Sequence, residues 1–199
     1  IAICPTFLAT TLGTLASLAL SRAYTPFRKT LMAIMISPLI VPLIITASGM
    51  FVFFAKFHLV ATFTGMIIAH TVLGIPFVVI TVTATLISFD HNLTRAASGL
   101  GGTPFYNFFK IQMPLITPGV ISGALFAFIT SFDEVVVVLF IGSQNQITLP
   151  RQMWSGIRQE ISPTILSVAT ILVILSIVLL TTVELLRRRS ERLRGIRPG

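Results

Sequence analysis

The sequence predicts an all-α polytopic membrane protein, and three observations carry that prediction. Hydrophobic residues make up 54% of the chain and charged residues only 10%, with a mean hydropathy of +0.95, whereas soluble domains carry about a quarter charged residues. Apolar runs long enough to cross a bilayer recur along the chain. The basic residues behind the net charge of +8 lie in short gaps between these runs, which indicates membrane topology rather than nucleic-acid binding.

The apolar runs predict five membrane spans within a single transmembrane domain of residues 1–199, and a sixth span is expected before residue 1. Small residues in the first span suit close helix packing in lipid. Pro38 and Pro42 are expected to break or kink the second span. The third span is so long that it must tilt, kink at Pro76 or extend into water. The expected spans are approximately 1–20, 31–54, 61–89, 115–141 and 161–183.

The placement of Lys and Arg orients these spans. Eleven of the 14 basic residues lie in segments 21–30 and 88–114 and in the basic tail 187–199, and the other three lie between them on the opposite side. Because positively charged loops are retained in the cytoplasm, we expect the 88–114 segment and the C-terminus to be cytoplasmic.

Segment 88–114 is the polar interruption at the centre of the chain, and it predicts two short helices joined by a turn. Asp90 or Asn92 can cap the first helix, Gly101-Gly102 break it, and Thr103-Pro104 can cap and start the second. An apolar face on the second helix either packs against the protein's own spans or docks a soluble partner. The residues with helical spacing on that face are Phe105, Phe108, Phe109 and Gln112.

The spacing within this segment resembles the cytoplasmic EAA loop of permease subunits of bacterial ATP-binding cassette (ABC) importers, E-A-A-x3-G-x9-I-x-L-P. Two positions depart from that pattern: Arg95 stands at the glutamate, and Met113 stands at the leucine, which conserves volume. The resemblance implies a loop inserted into a partner ATPase. The residues that it implicates in this coupling are Arg95, Ala96, Ala97, Gly101, Phe105, Ile111 and Pro114.

The same resemblance implies the type I ABC importer fold and a set of partners in the bacterial inner membrane. These partners are ATP-binding subunits, a second permease subunit, a periplasmic solute-binding protein and membrane lipid, without nucleic acid. The second permease subunit is either an identical or a different chain, and this branch usually pairs two different chains. The chain has no G-x4-G-K-[ST] signature. We therefore expect a transport subunit that is not itself an enzyme and holds no cofactor, with ATP and Mg²⁺ on the partner ATPase.

Asp133 and Glu134 lie in the fourth expected span, where an acidic side chain usually faces a water-filled path or a partner. We expect them to form a cation-attracting wall of the transport path. The alternative is that one of them pairs with Arg151 or Arg158, or caps a broken helix.

The residues around these acids resemble the spermidine/putrescine permease branch of the family, which implies a polyamine or related organic cation as the solute. The alternatives are an ABC permease for iron, a phosphonate or an amino acid, and a secondary transporter driven by an ion gradient. The segments that carry the resemblance are 131–134, 149–150, 153–155, 157–158 and 162–163.

The histidines do not form a recognisable metal or catalytic site. His58, His70 and His91 are scattered, and no H-E-x-x-H motif or cysteine partner accompanies them. His70 lies within the third expected span, where it either lines a path or is hydrogen-bonded to a neighbouring helix.

Overall fold

The computed structural model describes residues 1–21, 26–159 and 163–193, and every regular element in these ranges is helical, as the sequence predicts. One π-helical turn, Phe108–Gln112, joins the sixth helix to the seventh. The α-helices are α1 (Ile3–Leu20), α2 (Arg28–Ile40), α3 (Leu43–Lys56), α4 (Phe63–Ile87), α5 (His91–Gly99), α6 (Pro104–Asn107), α7 (Met113–Asp133), α8 (Val136–Ile141), α9 (Leu149–Gln159) and α10 (Pro163–Leu193).

Three helices in the described ranges are long and apolar enough to cross a bilayer: α1, α4 and the continuous helix Pro104–Asp133. Helices α2 and α3 meet the same criterion as a pair, bent by 106°. Their junction lies at Val41 and Pro42, whereas Pro38 is accommodated inside α2. The expected proline break in the second span is therefore confirmed.

The last expected span lies within α10, whose described apolar part is Leu166–Leu179. The helix continues to Leu193, so the expected basic tail begins as helix. Residues 194–199 of that tail and the basic Arg22 lie outside the described residues.

Helices α1, α4 and α7 pack against one another through small residues. A Cβ added at Gly74 of α4 would lie 3.0 Å from Ala9 Cβ of α1 and 3.1 Å from Ala127 Cβ of α7. A Cβ added at Gly123 would lie 2.8 Å from Val78 Cα. Lipid supplies no hydrophobic drive between helices, so van der Waals contact at this close approach is one of the interactions that hold them together, with hydrogen bonds between helices.

The contacts also give the directions of the three helices. Along α1 and α4, residue numbers rise together, because Ala9 lies beside Gly74 while Ser17 donates a hydrogen bond to Val79 O at 3.3 Å. Along α7 they fall, because Ala127 lies beside Gly74 and Gly119 beside Thr85. The segments that follow α1 and α4 therefore lie at the same end of the bundle, as the charge pattern predicts.

The fourth expected span, 115–141, is wrong at its end, because its helix stops at Asp133. The helix that contains this span starts at Pro104, continues without interruption into α7 and ends at Asp133. Glu134 is extended, and the short α8 follows as a separate helix. Val137 and Ile141 of α8 are fully buried in a cluster with residues of α3 and α4, so packing draws this segment away from the axis of α7.

Candidate functional site

The 88–114 loop forms the helix–turn–helix that the sequence predicts. Asp90 Oδ1 accepts a hydrogen bond from Asn92 N at 2.9 Å and caps α5. Gly101 follows that helix with φ +87°, a conformation that favours glycine. Thr103 Oγ1 accepts from Tyr106 N at 3.3 Å, and Pro104 occupies the first turn of α6.

The second half of the loop is not a separate helix, in contrast to the prediction. It passes through the π-helical turn directly into α7, giving a continuous helix from Pro104 to Asp133. Pro114 has no N–H to donate to the carbonyl of Lys110, and the wider turn lies just before it. At 1.5 Å per residue, this 30-residue helix is about 45 Å long.

Asn107 ties the two helices of the loop together. Its Nδ2 donates to Ser98 Oγ of α5 at 2.8 Å, and Thr94 O and Gly102 O lie 3.5 Å from the same nitrogen. The side chain is buried. Gly102 N also donates to Ala97 O at 2.8 Å, which closes the turn beside it.

The contact of Asn107 with α5 forms a joint between the two helices of the loop, and two grooves flank it. The grooves separate the residues that the sequence implicates in coupling. The first, of about 550 Å³, is lined by Ala97, Gly101 and Ile111 together with residues of the turn. The second, of about 360 Å³, is lined by Phe105. Arg95 and Ala96 are exposed on α5, and Pro114 is exposed at the start of α7. The loop therefore brings three of the seven residues to one groove.

The predicted aromatic face is only partly formed. Phe105, Phe108 and Gln112 line the second groove. Phe109 stands apart from that groove, 59% exposed, with its ring centroid 4.8 Å from that of Phe108 in an edge contact. The π-helical turn contains both rings and changes the helical spacing on which the prediction rested.

Asp133 and Glu134 differ sharply in surroundings. Glu134 is 7% exposed, and its Oε1 accepts a hydrogen bond from Val137 N at 2.9 Å. It caps α8, which is the alternative that the sequence left open. Asp133 is exposed at the last position of α7. The expectation that both acids sit on one continuous helix is wrong, because the chain turns between them.

Arg151 stabilises the segment after α8. Its Nη1 donates to Ser143 O at 2.6 Å and to Gln146 O at 3.0 Å, and Gln146 Oε1 accepts from Ser143 N at 2.9 Å. Arg151 therefore folds the 143–151 loop on itself, instead of pairing with an acid as the sequence left open. The side chain of Arg158 lies outside the described residues.

The role of His70 was left open by the sequence, and that of Asn107 was not predicted. His70 of α4 is 1% exposed, and its Nδ1 lies 2.9 Å from Ser131 Oγ and 3.1 Å from Ser131 O on α7. It therefore forms the contact between helices that was one of its two predicted roles. Asn107 had a local signal, as an amide among aromatic residues four positions after the helix cap Thr103.

Comparison with known proteins shows which family the chain matches. The model of the family described as "Binding-protein-dependent transport system inner membrane component" matches residues 9–194. The spermidine/putrescine transport system permease protein PotC of Haemophilus influenzae is 29% identical over 184 residues, covering 92% of this chain and 72% of that protein. PotC of Escherichia coli K12 is 30% identical over 184 residues, covering 92% of this chain and 70% of the relative.

A third relative, the putrescine transport system permease protein PotI of Escherichia coli K12, is 34% identical over 180 residues. That match covers 86% of this chain and 64% of PotI. The resemblance inferred from the spacing of the 88–114 loop is thereby confirmed, and the chain belongs to the family of binding-protein-dependent transport system inner membrane components.

Proposed function

We propose that this chain is a permease subunit of an ATP-driven importer and forms part of the path of a polyamine across the bacterial inner membrane. The observation that carries the proposal is the similarity to polyamine permeases, which extends over 92% of the chain for PotC. In this proposal, partner subunits bind and hydrolyse ATP, a second permease chain completes the path, and a periplasmic protein delivers the solute.

The 88–114 loop is the proposed contact with the ATPase. Its surface is apolar at several points, with Leu100 90% and Phe105 78% exposed. An apolar surface of this kind on a polar segment indicates a site of contact with a partner. The charge pattern orients the loop and the C-terminus toward the cytoplasm, where ATP is available. Arg95 adds an exposed positive charge beside that surface.

The continuous helix Pro104–Asp133 supports a direct route from the ATPase to the transport path. One end of this helix carries the groove-lining Phe105, and the other end is Asp133. Asn107 ties α5 to the same helix, so a force applied to either half of the loop moves α5 and the long helix together. A rigid-body tilt of a helix is a common switching movement, and it needs no chain of small rearrangements.

Asp133 is the proposed cation-attracting residue of the path. It is exposed where α7 ends, whereas the neighbouring Glu134 uses its carboxylate to cap α8. A polyamine is a chain of ammonium groups, and an exposed carboxylate at membrane depth attracts such a cation. The proposal therefore assigns the two acids different tasks, attraction to Asp133 and structure to Glu134.

The test is uptake by the complete transporter in proteoliposomes. We expect labelled spermidine or putrescine to accumulate only when ATP, the ATPase subunits and the polyamine-loaded binding protein are all present. Accumulation driven by an ion gradient without ATP would instead identify a secondary transporter. A binding protein that captures a phosphonate, ferric iron or an amino acid and not a polyamine would reject the proposed cargo and keep the importer.

A further inference from the structure

His70 lies where the long helix α7 ends. Its Nδ1 is 3.1 Å from Ser131 O and 2.9 Å from Ser131 Oγ. Ser131 is two residues before Asp133, the last residue of α7, so its carbonyl is one of the four at the helix end that have no N–H partner within the helix. A backbone carbonyl can only accept a hydrogen bond, so Nδ1 donates to Ser131 O when it carries the proton, and Ser131 Oγ can donate to Nδ1 when it does not.

The contact with Ser131 uses one of the two ring nitrogens. His70 is 1% exposed, and its Nε2 has no hydrogen-bond partner among the described residues. A buried polar atom without a partner destabilises the fold, and an apolar side chain would fill the same space without that penalty. Relative to an apolar side chain, what the histidine adds among the described residues is its hydrogen bond to Ser131 of α7.

The position of this bond determines what it can control. Ser131 Oγ and O are both held to α4, and the chain leaves the helix axis at Glu134, three residues later. On the far side of this turn, Glu134 caps α8, and Val137 of α8 belongs to the same buried cluster as Ala69, the residue before His70. One short stretch of α4 therefore contacts the chain on both sides of Asp133.

We propose that His70 is a positioning residue of the transport path. By holding the carbonyl end of α7 against α4, it sets the direction in which Asp133 and the capped Glu134 segment leave the helix. The inference rests on the proposed function, because it is the path that gives the orientation of Asp133 its importance. The geometry that it asserts can be tested without transport.

The experiment measures how readily residue 133 reacts from water. Cys4 is the single cysteine of the chain, so Cys4→Ala provides a background in which Asp133→Cys introduces one thiol. The assembled transporter is treated with a cationic, water-soluble methanethiosulfonate reagent, and the labelling rate is compared with that of Gln144→Cys, an exposed position in the following loop. Each thiol is combined with substitutions at His70.

Three substitutions separate positioning from packing. His70→Leu removes both ring nitrogens, His70→Asn places an N–H donor close to the position of Nδ1, and His70→Gln places it close to Nε2. We expect His70→Leu and His70→Gln to change labelling at 133 by about threefold to tenfold, the factor that a hydrogen bond of ordinary net strength is worth. We expect His70→Asn to restore the original rate, and labelling at 144 to stay unchanged in all three.

Thr83→Val is the matched control, because Thr83 is a buried polar residue of the same helix, 6% exposed and also without a partner for Oγ1 among the described residues. It should leave labelling at 133 unchanged. Equal labelling in His70→Leu and the parent, or equal rates in His70→Asn and His70→Gln, would overturn the inference. If the transporter that carries His70→Leu fails to assemble, the comparison of His70→Asn with His70→Gln decides whether the inference holds. Absence of polyamine uptake by the parent transporter would instead reject the proposed function alone.

Discussion

Asn107 Nδ2 donates a hydrogen bond to Ser98 Oγ across 2.8 Å, and this bond joins two helices that the turn at Gly101 alone would leave free to separate. Ser98 Oγ in turn donates to Thr94 O at 2.9 Å, so its remaining capacity is as an acceptor. The joint makes the 88–114 loop a single body that is continuous with α7.

Replacing Asn107 by alanine should uncouple the loop without removing the protein from the membrane. The lost hydrogen bond is worth about 0.5–1.5 kcal/mol, enough to loosen α5 but not to unfold the bundle. We expect normal amounts of assembled complex and basal ATP hydrolysis, with reduced polyamine uptake per ATP hydrolysed. Asn92→Ala, at an exposed position of α5, is the control and should match the parent. Unchanged uptake per ATP in Asn107→Ala would contradict the proposed joint.

The two glycines of the turn should differ in their response to alanine. Gly101 has φ +87° but nothing within 4 Å of an added Cβ, so Gly101→Ala costs only backbone strain of about 1 kcal/mol. At Gly102, an added Cβ would lie 2.6 Å from Asn107 Oδ1 and 2.8 Å from Ala97 O. Gly102→Ala should therefore reduce coupled uptake more than Gly101→Ala does.

The measurement is uptake per ATP hydrolysed at equal amounts of complex. The larger and charged Gly101→Asp should remain in the membrane and lose coupling, because aspartate strains the same backbone and adds a negative charge to the groove surface. Substrate-stimulated ATP hydrolysis and uptake at parent levels in Gly101→Asp would refute the role given to the turn.

For the stability of the complex, the hydrogen-bonding oxygen of Glu134 should matter more than its charge. Glutamine keeps an oxygen that can accept from Val137 N, whereas alanine leaves the first turn of α8 without its cap. Glu134→Ala should destabilise the complex by about 0.5–2 kcal/mol, the usual cost of losing a helix cap. The apparent melting temperature of the detergent-solubilised complex reports it, with Glu134→Gln closer to the parent. Equal losses in the two variants would show that the charge, not the cap, is required.

At Asp133, the charge should matter for polyamine uptake and not for the stability of the complex. The residue is exposed, so Asp133→Asn should leave the melting temperature of the complex unchanged. Because the cation loses an attracting charge, the rate of polyamine uptake at subsaturating solute should fall, by roughly tenfold if about 1.4 kcal/mol of attraction is lost. Asp133→Glu keeps the charge and serves as the control. Parent-like uptake in Asp133→Asn would exclude this residue from the path.

The close packing of α4 and α7 should make Gly123 sensitive to a single methyl group. An added Cβ there would lie 2.5 Å from Thr81 Oγ1 and 2.8 Å from Val78 Cα, and a backbone atom cannot move aside cheaply. Gly123→Ala should destabilise the complex by about 1–3 kcal/mol, as overpacking does. The control is Gly49→Ala on α3, where nothing lies within 4 Å. Equal melting temperatures for both would mean that the helices are more loosely packed than described.

Features of this protein that depend on nearby residues were readable from its sequence. The apolar runs predicted the long helices, and Pro42 predicted the break between α2 and α3. Asp90 and Thr103 predicted the starts of α5 and α6, because a helix cap is satisfied by an N–H two or three residues away. Gly101 predicted the turn for the same local reason.

The features at the candidate site of the solute path depend on residues far apart in the chain, and only the tertiary structure decided them. The segment 132–141 contains neither proline nor glycine, so apart from a possible cap by one of the two acids nothing local predicts that α7 ends at Asp133. The end is stabilised by the packing of Val137 and Ile141 against α3 and α4, and His70 and Ser131 meet across 61 positions. Helix caps and turns are satisfied within a few residues, whereas the direction of a chain after a helix depends on the surfaces that are available to bury it.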